Sequence, residues 1–202
     1  MIVVGVTGSF ASGKTETVRI FKKHGAKVFD ADRAARDAVR KGRPVYRAIV
    51  KMFGKRFLRA SGELDRKKLG RHVFGHPGDL RKLNILIHPG VIFECMKVIK
   101  RFRRKKGFLA MDVPLLFESK MERLADYTLV IASKRESLIR RAKKKGLPAE
   151  LAVKILSSQW PLKRKARLAD FVIRNDGTTA ELEERVVELM GKIRSNDKGR
   201  ST

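Results

Sequence analysis

The segment from Gly8 to Thr15 has the residue types and spacing of a phosphate-binding loop. It fits the pattern Gly-x4-Gly-Lys-Ser/Thr, with Gly13, Lys14 and Thr15 at its last three positions. In such a loop, successive backbone N–H groups and the positive end of the following helix surround a polyphosphate. Lys14 would reach the β and γ phosphates, and the Thr15 hydroxyl would hold Mg²⁺. The pattern therefore predicts a site for a nucleoside triphosphate.

Two carboxylates follow predicted strands and would face the same phosphates. Asp32, in Asp30-Ala-Asp32, follows the second strand, and Asp112 ends the third. Parallel α/β sheets bind ligands at the carboxyl edge of their strands. Asp32 would orient or deprotonate an acceptor hydroxyl or act through Mg²⁺, and Asp112 would contact the metal or its waters. The alternatives are helix N-cap acids at Asp30 and Asp32, and a turn acid at Asp112.

Two cations, Arg140 and Lys144, lie one helical turn apart and so share a helix face. Such a pair can close over transferring phosphates as a lid and stabilise the developing negative charge. Periodicity alone favours the simpler interpretation of a solvated basic face. The same interpretation applies to the basic runs at 97–106, 140–145 and 163–167.

The elements that would position these residues alternate between strands and helices. Short apolar runs, rich in β-branched residues, predict buried strands of a parallel sheet at 2–7, 27–29, 108–111, 127–132 and 171–173. A helix from Thr15 to His24 follows the loop and ends at Gly25. Strand, loop, helix and strand in this order are typical of a three-layer α/β fold.

The remaining segments read as helices. Breaks at 42–44, 54, 61–62, 75–77 and 88–89 divide residues 32–105 into short helices, among which Cys95 is predicted to be buried. Capping boxes at Ser133 and Thr178 predict two further helices, the first to about Lys145, and Pro148 suits the first turn of the next. The last helix would place five apolar residues on one face: Leu182, Val186, Leu189, Met190 and Ile193.

The length and composition indicate one compact domain, or one with a small appendage. The chain has 202 residues, 43% of them hydrophobic, with 48 Lys and Arg against 21 Asp and Glu and a net charge of +27. No apolar run approaches the roughly 20 residues of a membrane span, and no secretory signal is visible, which predicts a cytoplasmic protein with no membrane partner. Nucleic acid is not required as a partner, although the basic surface could bind it non-specifically.

Further motifs follow the loop in order. They are Phe29-Asp-Ala-Asp32 with Ala35-Arg36, Asp65-Arg66 before Leu69 and Val73-Phe74, Asn84 with His88-Pro89, Asp112-Val-Pro-Leu-Leu-Phe-Glu118, Gln159, and Ala169-Asp170 before Val172-Ile173-x-Asn175. Together with the loop, these motifs resemble the dephospho-coenzyme A kinase family over residues 2 to 190. The resemblance implies a three-layer α/β P-loop kinase with a parallel five-stranded sheet. It also implies a helical substrate-binding insertion at 32–106 and a helical lid at 136–167, with the core at 1–31, 107–135 and 168–194.

The implied reaction is ATP-dependent phosphorylation of the ribose 3′-hydroxyl of dephospho-coenzyme A, the last step of coenzyme A synthesis, with Mg²⁺. Asp32 matches the proposed base, Lys14 and Arg140 act on the phosphates, and Arg36 and His88 lie near the acceptor substrate. The residues implied for the nucleotide are Gly8, Ser9, Phe10, Ala11, Ser12, Gly13, Lys14, Thr15, Glu16, Arg140 and Asn175, the last in the loop that neighbours the adenine. Thr15 and Asp112 are implied for the metal.

The chain departs from the usual family pattern at several positions. Ser9, Phe10, Ala11 and Thr15 replace common loop residues, and Lys144 stands where a second lid arginine is common. A point charge cannot make the planar two-pronged phosphate contact of arginine, which predicts weaker lid closure. Three alternatives remain: a P-loop kinase for another nucleoside or nucleotide, an ATP-regulated nucleic-acid-binding protein, and an inactive relative.

Overall fold

The computed structural model of the chain describes residues 1–144, 146 and 149–198. Its strands are β1 (Ile2–Gly8), β2 (Lys27–Asp30), β3 (Phe108–Asp112), β4 (Tyr127–Ala132) and β5 (Phe171–Arg174). They form one parallel sheet in the order β2-β3-β1-β4-β5. The five predicted strands and the parallel α/β class are therefore confirmed.

Strand β1 lies at the centre of the sheet, and every one of its residues is buried. It pairs in parallel with β3, where Val6 lies opposite Asp112, and with β4, where Gly8 lies opposite Ile131. Because the strands are parallel, the carboxyl ends of β1 and β3 meet at one edge of the sheet. This register places Asp112 beside the start of the phosphate loop.

The chain forms two compact units, Met1–Phe29 with the chain from Ile99 onward, and Asp30–Val98. The second unit covers most of the range predicted for the insertion. The helices of the described residues are α1 (Lys14–Lys23), α2 (Ala31–Ala38), α3 (Pro44–Phe53), α4 (Arg66–Gly75), α5 (Pro77–Phe102), α6 (Arg135–Lys144), α7 (Ala149–Ser157), α8 (Leu162–Leu168) and α9 (Thr179–Lys198). Lys145 and Pro148, named in the predictions for α6 and α7, lie outside the described residues.

The sheet unit buries both faces of its sheet. Helices α1 and α9 pack on one face, and the predicted apolar face of α9 is confirmed, since all five of its residues are buried. Thr178 caps α9, because its hydroxyl accepts a hydrogen bond of 3.2 Å from the Glu181 N–H. On the other face of the sheet, Val3, Leu109 and Met111 are also buried. Burial on both faces confirms the three-layer arrangement.

The helical unit has a core of its own, formed by apolar residues of α3, α4 and α5 and their connections, among them Ile49, Phe53 and Val73. Asp30 and Asp65 begin α2 and α4 as N-caps, accepting hydrogen bonds of 2.8 and 2.9 Å from the N–H groups of Arg33 and Lys68. The bond from Lys68 also holds the pKa of Asp65 below its ordinary value. No strand occurs in the described part of 32–105, as predicted.

The predicted helix break at 88–89 is wrong. Helix α5 continues from Pro77 to Phe102 with Pro89 inside it. Proline removes the N–H that would bond the carbonyl of Ile85. Pro89 and Ile85 are both exposed, the latter to 71%, so water can satisfy that carbonyl. Tertiary packing on the opposite side of the helix, including buried Val91 and Cys95, keeps α5 continuous.

Cys95 is fully buried, which confirms its predicted place in the core. Removal from water raises the pKa of its thiol to about 12, so the side chain is uncharged at neutral pH. Within the described ranges, no helix has the length and apolar character needed to cross a membrane.

Candidate active site

The phosphate loop connects β1 to α1, and two of its glycines are required by sterics. Gly13 has a left-handed φ of 97°, and a Cβ there would collide with the side chain of Asn175. A Cβ on Gly8 would lie 2.5 Å from the carbonyl oxygen of Ile131. Ala11, which departs from the usual family loop, also has a positive φ, of 61°. The loop thus keeps its compact geometry with one residue held in a conformation that favours glycine.

The carbonyl of Ser12 accepts hydrogen bonds from side chains elsewhere in the sheet unit, and these bonds hold the phosphate loop in place. It accepts hydrogen bonds from the Asn175 side-chain amide at 2.8 Å and from the Ser133 hydroxyl at 3.2 Å. Arg141 reaches the same carbonyl at 3.4 Å and donates to the carbonyl of Asn175 at 2.9 Å. Loop, β5 end and α6 are therefore joined by one polar cluster.

This cluster corrects the predicted capping box at Ser133. The Ser133 hydroxyl donates to the carbonyls of Ser12 and Asn175, and α6 begins two residues later, at Arg135. The N–H of Lys134 is bonded by the carboxylate of Asp176 at 2.8 Å. Capping competes with other uses of a serine hydroxyl, and here the hydroxyl bonds the two carbonyls together with Asn175 and Arg141.

Arg141 is a residue that the sequence analysis missed, since it singled out its neighbour Arg140. Arg140 is exposed on α6, whereas Arg141 is half-buried against the loop. Leu138 and Ala142, both buried, lie three residues before and one residue after Arg141. That helical spacing places Arg141 on the inner face of α6 and was the available signal.

Lys14 and Asp112 form an ion pair at the nucleotide end of the sheet unit, which is the carboxyl edge of the sheet together with the phosphate loop. The Lys14 ammonium donates to Oδ1 of Asp112, and both side chains are mostly buried, with 13% and 14% exposed. The ion pair holds the lysine at the carboxyl edge of the sheet, at the first turn of α1. A mostly buried cation at a helix N-terminus is suited to a polyphosphate.

The residues around the phosphate loop fit a nucleoside triphosphate with Mg²⁺. Among the described residues no side chain caps α1, so the N–H groups of its first turn are available to phosphate oxygens. The buried Ser12 hydroxyl has no hydrogen-bond partner within the described part of the chain. The exposed hydroxyl of Thr15 and the carboxylate of Asp112 supply oxygens of the kind that Mg²⁺ prefers.

The structure places the other predicted residues as follows. Ser9 and Phe10 are half-buried in the loop, and Glu16 on α1 is paired with Arg19 at 2.6 Å. Asp32 and Arg36 lie one turn apart on α2, and His88 lies on α5, all three in the helical unit. Asp30 is the N-cap of α2, as the alternative interpretation of that acid predicts, whereas Asp32 lies within the helix. The catalytic and binding roles of these residues stay predictions.

Lys165 is a second residue that the sequence analysis missed, and the solvated face predicted for 163–167 is wrong at this position. Its side chain on α8 is fully buried, with Nζ 2.8 Å from Oε1 of Glu118 and 3.0 Å from the carbonyl oxygen of Pro114. The Thr7 hydroxyl donates to the same carbonyl at 3.0 Å. Lys165 therefore fixes the segment that follows Asp112.

We expect Lys165→Met to lower the free energy of unfolding by about 3–5 kcal/mol, because it leaves Glu118 buried without its cation. Urea denaturation followed by circular dichroism measures the change, with the exposed neighbour variant Lys163→Met as the control. The double variant Lys165→Met/Glu118→Leu should recover part of the loss. A wild-type urea midpoint for Lys165→Met would contradict this account.

We expect Arg141→Ala to weaken ATP binding by about 10- to 100-fold, since charge-assisted hydrogen bonds to two carbonyls are lost and the loop is less fixed. Titration with a fluorescent ATP analogue gives the dissociation constant. Lys143→Ala, at an exposed position of the same helix, is the matched control. Equal affinities for the two variants would show that Arg141 does not hold the loop.

A parallel sheet that delivers a glycine-rich loop, a lysine and a carboxylate to one edge defines a P-loop kinase fold. The comparisons with known proteins are specific. The family model for dephospho-CoA kinase matches residues 2–181, nearly the whole chain. The chain belongs to the dephospho-CoA kinase family.

Individual relatives agree with the family match. The chain is 43% identical to a dephospho-CoA kinase of Bacillus cereus over 183 residues, which are 89% of this chain and 91% of that protein. It is 37% identical to one of Carboxydothermus hydrogenoformans over 197 residues, 96% of each chain. The solved structure of a dephospho-CoA kinase from Campylobacter jejuni superimposes with a TM-score of 0.68 and 29% identity, covering 96% of this chain and 98% of that one.

Proposed function

We propose that this protein transfers the γ-phosphate of ATP to the ribose 3′-hydroxyl of dephospho-CoA, giving CoA and ADP. The observation that carries the proposal is the family match over residues 2–181, which include the phosphate loop, Asp32 and Asp112. The loop geometry supports the nucleotide half of the reaction independently. A location in the cytoplasm is part of the proposal and rests on the sequence alone.

The chain's own residues divide the work of phosphoryl transfer, in which positioning and charge stabilisation dominate. Lys14 and the N–H groups of the first turn of α1 hold the phosphates, and the cluster at Ser12 holds the loop. Asp32 accepts the proton of the acceptor hydroxyl as it attacks the γ-phosphorus. Arg140, on the exposed face of α6, provides positive charge from the lid as the phosphoryl group moves.

Thr15 and Asp112 are the residues that would hold Mg²⁺ together with nucleotide oxygens, and the ion supplies neutralisation of phosphate charge. Asp112 also fixes Lys14 at the sheet edge through the ion pair between the two side chains. The loop that contains Asn175 is proposed to neighbour the adenine, while the Asn175 amide donates to the carbonyl of Ser12. Arg36 and His88 are proposed to contact the acceptor.

A substrate panel tests the proposed acceptor. With ATP and Mg²⁺ in excess, initial rates of ADP formation are compared for dephospho-CoA, AMP, CMP and uridine. We expect kcat/KM for dephospho-CoA to exceed the other three by at least two orders of magnitude, since only that acceptor presents the full set of groups to bind. A preference for AMP, CMP or uridine would contradict the proposed acceptor and would identify the protein as a kinase for another nucleoside or nucleotide.

A further inference from the structure

Helix α5 carries an exposed apolar stripe that consists of Ile85, Phe93 and Met96. Their side chains are 71%, 62% and 52% exposed, and the first two are the most exposed large apolar side chains among the described residues. At about 100° per residue, the three fall within an arc of about 80° and span about 16 Å along the helix. Apolar residues that are aligned on one face, rather than scattered singly, indicate a binding surface.

The α5 stripe lies on the side of the helix that faces away from its buried residues. Val91 and Cys95 are the buried residues of α5, and the helical period places them opposite the stripe. Pro89, which is also exposed, lies within the arc of the stripe. Helix α5 therefore buries one apolar face and exposes a second one.

Cations adjoin the stripe at the C-terminal end of α5. Residues 97–106 include seven Lys and Arg residues, all exposed, and the sequence has no acid between Glu94 and Asp112. Lys97 lies over the ring of Phe93, with 5.6 Å between Nζ and the ring centroid. Glu94 is paired with Lys97 at 3.1 Å, but an ion pair between two exposed side chains is weak, so the lysine remains available to another anion.

The two ends of the stripe are also basic. Arg81 lies one helical turn before Ile85, and Lys100 lies one turn after Met96, both at exposed positions of α5. An apolar centre with a cation at each end is typical of a helix that lies in the plane of a membrane surface. In that position, the long stems of Lys and Arg let their charged groups reach the lipid headgroups.

We propose that the α5 stripe and the cations beside it bind the surface of a membrane that contains anionic lipids. The apolar side chains enter the boundary between headgroups and acyl chains, and Lys97 and Lys100 contact the lipid phosphates. A helix in this position lies on the membrane without crossing it. The expectation of no membrane partner rested on the lack of a spanning run, and this proposal revises it.

The apolar stripe favours lipid over nucleic acid as the partner. A nucleic acid would bind the same cations through its phosphates, but it offers Ile85 and Met96 little apolar surface in which to be buried. A membrane that contains anionic lipids binds both the cations and the stripe. The inference does not rest on the proposed function, since it uses no residue placed at the active site.

Co-sedimentation with vesicles tests the stripe. The vesicles contain phosphatidylcholine with about one quarter phosphatidylglycerol, in about 0.1 M salt. We expect wild type to bind and Phe93→Ser/Met96→Ser to bind about 10-fold more weakly or worse, because two apolar side chains no longer enter the lipid. Met52→Ser/Val187→Ser removes two exposed apolar side chains from other helices and should bind as wild type does. Equal binding by the two double variants, or no binding by wild type, would overturn the proposal.

The variant Lys97→Gln/Lys100→Gln tests the cations. We expect it to bind the same vesicles about 10-fold more weakly, since each cation near an anionic surface adds to the attraction. Lys22→Gln/Lys192→Gln removes the same charge from exposed positions of α1 and α9 and should have a smaller effect. Titration with double-stranded RNA tests the alternative partner. Tighter binding to RNA than to vesicles, weakened by the lysine variant but not by Phe93→Ser/Met96→Ser, would contradict the proposal and identify a nucleic-acid surface.

Fluorescence shows directly whether the stripe enters the lipid. The chain has one tryptophan, so Phe93→Trp combined with Trp160→Phe places the only indole in the stripe. We expect its emission to move to shorter wavelength with the anionic vesicles and to be quenched by brominated acyl chains, whereas Met52→Trp with Trp160→Phe should show neither change. An unchanged spectrum at residue 93 would contradict the proposal.

Kinase assays on the same variants keep this inference separate from the proposed function. We expect Phe93→Ser/Met96→Ser to phosphorylate dephospho-CoA in solution at the wild-type rate. A wild-type protein that phosphorylates dephospho-CoA but does not bind vesicles would contradict the membrane proposal alone. A wild-type protein that binds vesicles through the stripe but does not phosphorylate dephospho-CoA would contradict the proposed function alone.

Discussion

Lys14→Ala lowers kcat by about 10²–10³-fold, the loss expected when one positioned charge is removed from the transition state. The Lys14 ammonium lies at the first turn of α1 and is held by Asp112 at the sheet edge. Alanine removes the positive charge from the phosphates and leaves Asp112 without its cation. Rapid-quench measurement of the transfer step at saturating ATP and dephospho-CoA gives the size of the effect.

The control for Lys14→Ala is Lys22→Ala, at an exposed position of the same helix, which should retain the wild-type rate. Thermal unfolding of both variants shows whether the fold is kept. In the Asp112→Asn background the Lys14 effect should be smaller than in wild type, because contacting residues couple. A wild-type transfer rate for Lys14→Ala would contradict the catalytic role proposed for the phosphate loop.

Asp32→Asn lowers the rate of transfer by about 10²–10⁴-fold with little change in the dissociation constant for ATP, as expected when a general base is lost. Asparagine keeps the size of the side chain and its place on α2 but accepts no proton near neutral pH. The N-cap of that helix is Asp30, so helix capping is preserved in this variant. Single-turnover kinetics and nucleotide titration measure the two quantities separately.

Glu94→Gln, at an exposed acid on α5 paired with Lys97 at 3.1 Å, is the matched control for loss of one carboxylate from the helical unit. It should retain the wild-type transfer rate. A near-normal rate for Asp32→Asn would assign this acid a structural role and would require another base for the acceptor hydroxyl.

The elements that periodicity determines were predictable from the sequence. The run from Ile2 to Thr7 is uniformly apolar because β1 is buried on both faces of the sheet. A helix that buries one face would need apolar residues only along that face. The five apolar residues of α9 recur at helical spacing because one face alone meets the sheet unit. Both patterns report burial directly, so the strand bounds were predicted to within one residue and the buried face of α9 was predicted correctly, although the helix continues to Lys198.

The errors arose where a local signal competes with tertiary structure. Pro89 normally ends a helix, but its missing bond falls on the exposed face of α5, where water replaces it. Ser133 has the spacing of a capping box, yet its hydroxyl bonds carbonyls of residues more than forty and more than one hundred positions away. A prediction based on the residues near Ser133 in the sequence therefore cannot include those partners.

Two supporting cations show a further limit of the sequence. Arg141 and Lys165 each lie in a basic run that was interpreted as a solvated surface, and each instead holds a backbone carbonyl of the nucleotide end. Both have an apolar residue three positions before and one position after, Leu138 and Ala142 for the first, Leu162 and Ala166 for the second. That spacing places a cation on the inner face of its helix and is a usable signal.

The chemistry of the nucleotide end could be predicted in more detail than the acceptor. Loop, lysine and Asp112 follow from one motif and from the carboxyl edge of a parallel sheet. The acceptor came from the resemblance of scattered motifs, since nothing in the charge or spacing of Asp32 distinguishes one hydroxyl from another. A basic cavity in the helical unit is lined by residues of two separate segments, 33–41 and 59–66, which composition alone cannot bring together.

Release of ADP from ATP and Mg²⁺, with and without dephospho-CoA, tests the central claim most directly when the acceptor's mass is measured in the same reaction. We predict that ADP forms at an appreciable rate only with dephospho-CoA and that one molecule of product, heavier by one phosphate, appears for each ADP. ADP formation that is independent of dephospho-CoA, or no increase in the mass of that acceptor, would contradict the claim.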